Sequence, residues 1–181
     1  AEEINAENWL EILQRPDVKV GIADPRFDAS GYRALMAFQL AGMLDDRPAL
    51  FFDMFDGAFK RPITVEMSDT GALIHVPELL ESKDGSHIVL RGSSIQLIAL
   101  LESGDLDYAF EYESVIRQHG LRVVELPAEL NLGEAGMADT YGQVTVKLDF
   151  QRFASVQPLF RGEQIGYGAT SYMESVEFCG Q

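Results

Sequence analysis

Three things are scarce in this chain of 181 residues: cysteine, positive charge and long apolar runs. The single cysteine, Cys179, excludes an internal disulfide, and nothing resembles a zinc ligand set. No apolar run approaches the length of a membrane span. Ala1-Glu2-Glu3 is acidic where a signal peptide is basic, so a cytosolic chain, or one that has lost its targeting segment, is expected. Lys and Arg number 14 against 29 Asp and Glu, for a net charge of −15. That balance argues against nucleic acid or an anionic membrane surface as a general partner. Most of the acids are read as keeping the protein soluble. Neither a Ser/His/Asp set nor a phosphate-binding Gly-x-x-x-x-Gly-Lys loop occurs. The histidines, His75, His87 and His119, are scattered and read as structural. An enzyme is therefore not expected, nor is a cofactor.

What is present is a globular composition, 46% hydrophobic and 24% charged. The length suits one domain with a real core, and no repeat or linker divides it. Residues 1–181 are read as a single α/β domain. Residues 5–14 predict a short helix with an apolar face of Trp9, Leu10, Ile12 and Leu13, stopped by Pro16. Residues 18–23 predict a strand, followed by a turn over residues 24–31. A helix over residues 30–44 carries Leu35, Phe38, Leu40 and Met43, with Ser30 as its N-cap candidate. Residues 49–59 read as another amphipathic helix. Residues 62–91 hold alternating stretches, among them Leu73-Ile74-His75-Val76, that predict strands, a hairpin and a surface excursion. Ser93 and Ser94 cap a helix over residues 95–102, ended by Gly104. Residues 107–112 predict a buried strand leading into a helix that ends at residues 118–120. Strands are further expected at residues 121–126, 144–150 and 164–170. This alternation favours an open, mostly parallel sheet flanked by helices.

In such sheets ligands bind beyond the carboxyl ends of the strands, where helix N-termini offer free N–H groups and a positive dipole end. Two strand-to-helix junctions stand out, at residues 24–33 and 110–114, with a third helix start at Gly92-Ser93-Ser94. Anion binding is physically plausible there despite the net charge, because nearby amides outweigh distant, screened carboxylates. Each candidate has an ordinary alternative. Asp24 reads equally as a turn residue, Asp28 as a helix cap competing with Ser30, and Ser93 and Ser94 as simple caps. Glu111, between Phe110 and Tyr112, is either a solvent-facing strand end or an unusual buried acid. Taken alone, Asp28 and Glu111 suggest a hard cation such as calcium or magnesium.

The same junctions resemble a known family. Asp24-Pro25-x-x-Asp28-x-x-Gly31-Tyr32-Arg33-Ala34-Leu35-Met36, with Gln39-Leu40-Ala41 after it, resembles the second lobe of archaeal-type tungstate/molybdate-binding proteins of ABC importers. Glu102-Ser103-Gly104-Asp105-Leu106-Asp107-Tyr108-Ala109-Phe110-Glu111-Tyr112-x-Ser114-Val115 is similar to a second block of that family, and Leu126-Pro127-x-Glu129-x-Asn131-Leu132 to a third. The blocks cover most of residues 5–132, and the match weakens through residues 50–90 and after 133. Ala29 stands where the family usually has proline, and Arg26-Phe27 replaces a small polar pair.

The resemblance implies one lobe of a type II periplasmic-binding fold. It implies tungstate or molybdate as the ligand, its metal taking two extra oxygens from Asp28 and Glu111, with Tyr112 and the amides near Ser30 as second contributors. It implies an extracellular or periplasmic, membrane-associated parent protein with an ABC permease as partner. It also implies a first lobe that these residues do not contain, with residues 164–181 as a return segment toward it. An exposed inter-lobe face invites self-association, and a lone lobe is expected to bind weakly. The other readings are a divergent binding or sensory domain of this fold, the hard-cation site, and an interaction domain without a small ligand.

Overall fold

The computed structural model describes residues 3–150 and 158–165. Its elements in chain order are helix α1 (Trp9–Leu13), strand β1 (Val20–Ala23), helix α2 (Ala29–Leu44) and helix α3 (Leu50–Phe55). Strands β2 (Thr64–Ser68), β3 (Gly71–Pro77) and β4 (Ile88–Arg91) follow, then helix α4 (Ser94–Ser103), strand β5 (Tyr108–Ala109) and helix α5 (Glu113–Gln118). Helix α6 (Ala138–Tyr141) and strands β6 (Val144–Asp149) and β7 (Leu159–Arg161) complete the order.

The strands divide between two sheets. One is parallel, in the order β4-β1-β5, and its middle strand β1 is buried at every residue. That burial explains why β1 shows no polar alternation. The other has the order β2-β3-β6-β7 and pairs β3 with β6 in parallel between antiparallel edges. Here the alternation is plain: Ala72, Ile74 and Val76 of β3 point inward, as do Val144, Val146 and Leu148 of β6. The α/β architecture and the predominance of parallel pairing agree with the sequence. The split into two sheets was not foreseen.

Helix α2 lies between the sheets and packs on β1, β6 and α3. This position explains its weak amphipathicity, since Ala34 to Ala41 are buried almost all round. Phe38 is the centre of an aromatic cluster, 5.4 Å from Trp9, 5.3 Å from Phe55 and 5.0 Å from Phe110 between ring centroids. Gly31, in the first turn of α2, cannot be replaced freely. A Cβ there would lie 2.2 Å from the Ala23 carbonyl oxygen and 2.7 Å from the Pro25 nitrogen. The helix therefore starts directly against the end of β1, which fixes where its first side chains point.

Several expectations are corrected. The helix of residues 5–14 is confined to Trp9–Leu13, because Asn5 and Asn8 exchange side-chain-to-backbone hydrogen bonds in the preceding turn. The helix of residues 49–59 shortens to α3. The strand of residues 107–112 shrinks to Tyr108–Ala109, which is half-buried at the sheet edge. Residues 121–126 join no strand; Leu121, Val123, Val124 and Leu126 are half-buried against a cleft. Residues 164–165 are not strand either, and residues 166–170 lie outside the described residues. Gly104 ends α4 with φ +78°, as expected of a left-handed helix cap. No helix among the described residues is long and apolar enough to cross a membrane.

Candidate functional site

Because β4, β1 and β5 run parallel, their carboxyl ends share one edge, and α4, α2 and α5 all start there. Three helix N-termini thus converge on the region that the fold reserves for ligands.

The first junction is closely wired. Asp24 is buried and forms a two-pronged ion pair with Arg26, at 2.8 Å to Nε and 2.5 Å to Nη2. Arg26 also donates to the carbonyls of Glu78 (2.5 Å) and Leu80 (3.0 Å), pinning the turn to the chain after β3. Asp24 is therefore a structural clamp, and Arg26 explains itself as its partner. Asp28, not Ser30, is the N-cap of α2: its Oδ1 accepts from the Ser30 amide and the Ser30 hydroxyl, both at 2.9 Å. Its Oδ2 accepts from the Ser94 amide at 2.8 Å. One carboxylate thus ties the starts of two helices together. Burial pushes its pKa up, but the hydrogen bonds from Ser94 and Ser30 outweigh that and hold it below the ordinary carboxylate value. Asp28 is ionised at any neutral pH.

The second junction is wired less completely. Glu111 Oε1 accepts from the Tyr112 amide at 2.7 Å. Its Oε2 is buried and has no hydrogen-bond partner among the described residues. A buried carboxylate oxygen left so is costly and calls for an explanation. Tyr112, at the N-cap of α5, receives a hydrogen bond on its hydroxyl from Nη1 of Arg33. Burial raises the Tyr112 pKa, with Arg33 opposing and the charge of Asp28 adding to the rise. The two junctions are therefore close enough to share a field.

Between them opens a cleft of about 810 Å³, lined by Ser30, Arg33, Glu111 and Tyr112 and walled by residues 130–134. Three of the expected residues, Ser30, Glu111 and Tyr112, meet in this cleft. Asp28 is not among its lining residues and adjoins it through Ser30. Sequence reasoning missed Arg33, which is quoted there only as part of a motif. It also missed the far wall, where the Tyr141 hydroxyl donates to the Ala128 carbonyl at 2.5 Å and accepts from the Glu134 amide at 3.2 Å. That bracing accompanies a left-handed Leu132 (φ 58°), a strained conformation for a residue with a side chain. Nothing local in the sequence signals it. A hard cation asks for six or more oxygens, and no group of three or more His, Cys, Asp or Glu placed to hold a metal ion occurs among the described residues.

Residues 2–153 match the family model described as "Bacterial extracellular solute-binding protein". The chain belongs to that family. Among its relatives, a solute-binding protein of Staphylothermus marinus is 36% identical over 181 residues, covering 97% of this chain and 51% of the relative. The molybdate/tungstate-binding protein WtpA of Thermococcus kodakarensis is 36% identical over 172 residues, covering 94% and 45%. WtpA of Pyrococcus abyssi is 37% identical over 144 residues, covering 80% and 40%. The chain thus spans about half the length of the curated relatives it matches. The family implies a binding role, and the α/β architecture with its cleft at the strand ends fits the fold of such proteins.

Proposed function

We propose that this chain is the oxyanion-clasping lobe of a tungstate- or molybdate-binding protein that serves an ABC importer outside the cytoplasm. The observation that carries this reading is the buried Oε2 of Glu111, without a partner among the described residues, at a cleft that also holds cationic side chains. An oxyanion whose central metal accepts further oxygens would satisfy that atom. Asp28, kept ionised by its Ser30 and Ser94 donors, is the second carboxylate. The Tyr112 hydroxyl supplies a donor for an outer oxygen, and Ser30 contributes one only by releasing Asp28, which both of its donors now serve. The names of the two WtpA relatives support the ligand class. The hard-cation alternative has only the same two acids.

On this reading residues 1–181 belong to the second lobe and a first lobe provides the opposite wall; the expected return segment, residues 164–181, lies outside the described residues beyond residue 165. Closure of the two lobes encloses the ligand and presents it to the permease. The chain alone binds more weakly, and its inter-lobe face associates with a second copy at high concentration.

Titration calorimetry with sodium tungstate, sodium molybdate, sodium sulfate and calcium chloride tests the proposal. Tungstate or molybdate heat that is lost in Glu111→Gln is expected. Heat with calcium alone would sink it.

A further inference from the structure

The cleft contains an arginine with no counter-charge among the described residues. Three arginines line it: Arg33, Arg117 and Arg122. Arg117 is paired with Glu113 at 2.6 Å and Glu125 at 3.0 Å, and Arg122 is paired with Glu3. Arg33 forms no ion pair with any described carboxylate, in a chain with 29 of them. Its guanidinium is half-buried between two aromatic rings, 5.7 Å from the Tyr32 centroid and 5.5 Å from the Tyr112 centroid. Its hydrogen bond runs to the neutral hydroxyl of Tyr112. Tyr32 is in turn stacked on Phe160 at 4.5 Å, so the platform beneath the guanidinium is itself held in place. Arg33 also sits five residues into α2, toward the positive end of the helix dipole, where a cation gains nothing from the helix. The two rings and the Tyr112 hydroxyl hold the cation, but no described carboxylate neutralises it. A fixed, flat cation without a described carboxylate partner, facing a cleft that also holds Glu111, is suited to the outer oxygens of an anion, which that carboxylate would otherwise repel.

We propose that Arg33 is the charge-reading residue of this cleft. It hands the Tyr112 hydroxyl over for an outer oxygen of a bound divalent tetrahedral oxyanion, and thereby makes the site prefer dianions to monoanions of the same shape. The proposal rests on the oxyanion reading above. It adds a residue and a basis of selectivity that the two carboxylates cannot provide, since both favour whichever ion carries less negative charge.

Tungstate and perrhenate are tetrahedra of the same shape that differ by one charge. The test is calorimetric titration of the full-length protein and its Arg33→Met and Arg33→Lys variants with sodium tungstate and sodium perrhenate. Arg33→Met is expected to weaken tungstate by about 10- to 100-fold, the range for a lost charge-assisted hydrogen bond. Perrhenate should weaken by much less, so the tungstate/perrhenate ratio collapses. Arg33→Lys keeps the charge and should retain most of that ratio. If Arg33→Met does not fold, Arg33→Gln is read in the same way. A purely structural role would weaken both ions equally; that result, or no change, overturns the proposal while leaving the oxyanion reading intact. A wild-type protein that takes up neither ion overturns both. NMR of protein labelled at tyrosine Cζ reads the handover itself. The Tyr112 signal should move on tungstate addition, and a signal that stays fixed at saturation overturns the handover.

Discussion

The two strand-to-helix junctions that frame the cleft are built to opposite specifications. At β1–α2 every carboxylate oxygen accepts from the protein: Asp24 from Arg26, and Asp28 from Ser30 and Ser94. At β5–α5 the carboxylate of Glu111 has one oxygen engaged and the other buried without a partner among the described residues. The first junction spends its charge on holding the fold. The second keeps part of its bonding capacity in reserve, at a cost to stability, as binding sites commonly do.

Substitutions should break this comparison in order of size. Gly31→Ala forces a Cβ against the Ala23 carbonyl, which only a backbone shift can relieve. A loss of about 3 kcal/mol, at the upper end for overpacking, is expected in denaturant unfolding. A loss under about 1 kcal/mol would mean that the start of α2 is not held where described. Asp28→Ala removes the cap of α2 and the tie to α4. Loss of a helix cap costs about 0.5–2 kcal/mol, and the second tie places this case near the top of that range. Glu111→Gln should move stability the other way, by up to about 1 kcal/mol, because it removes a poorly compensated buried charge. It should do so while abolishing tungstate heat. If Glu111→Gln destabilises as much as Asp28→Ala, the two junctions are alike and the contrast fails.

The smallest effect is on pH. Asp28 is held below its ordinary pKa, so the folded state binds its proton less readily than the unfolded chain does. The stability that this adds is complete above the unfolded value of about 3.9 and is lost as pH falls through the lower folded value. His87 acts in the same direction at higher pH. Burial lowers its pKa, so the folded state resists its protonation and stability declines as pH drops below about 6.5. Thermal melts of wild type and His87→Gln between pH 7.5 and 5 should diverge, with the wild type losing more.

Much of this was legible in the chain. The apolar spacing of Leu35, Phe38 and Leu40, the alternation through Ile74 and Val146, and Gly104 as a helix end each report local physics, and each holds in the structure. The failures share a different cause. Leu121, Val123, Val124 and Leu126 have strand composition, but no described strand pairs with them, and they line the cleft instead. Ser30 is a good cap by residue type. Asp28 takes the position because its extended backbone (φ −134°, ψ 129°) lets one carboxylate reach both Ser30 and Ser94, which are 64 positions apart. Arg33 was hidden for a similar reason. What distinguishes it is that no described carboxylate pairs with it, a property of three-dimensional surroundings.

Helix α2 has one more consequence. It carries Ser30 and Arg33 at one end and then runs, buried on nearly all sides, between the two sheets. Amides along such a rod exchange with solvent only when the whole fold opens. A solute gripped at its tip therefore cannot protect the cleft alone. At a concentration about 100 times its Kd it should slow exchange about 100-fold at the most protected amides of both sheets. Occupancy of a shallow surface cleft would thus be recorded at the deepest point of the core.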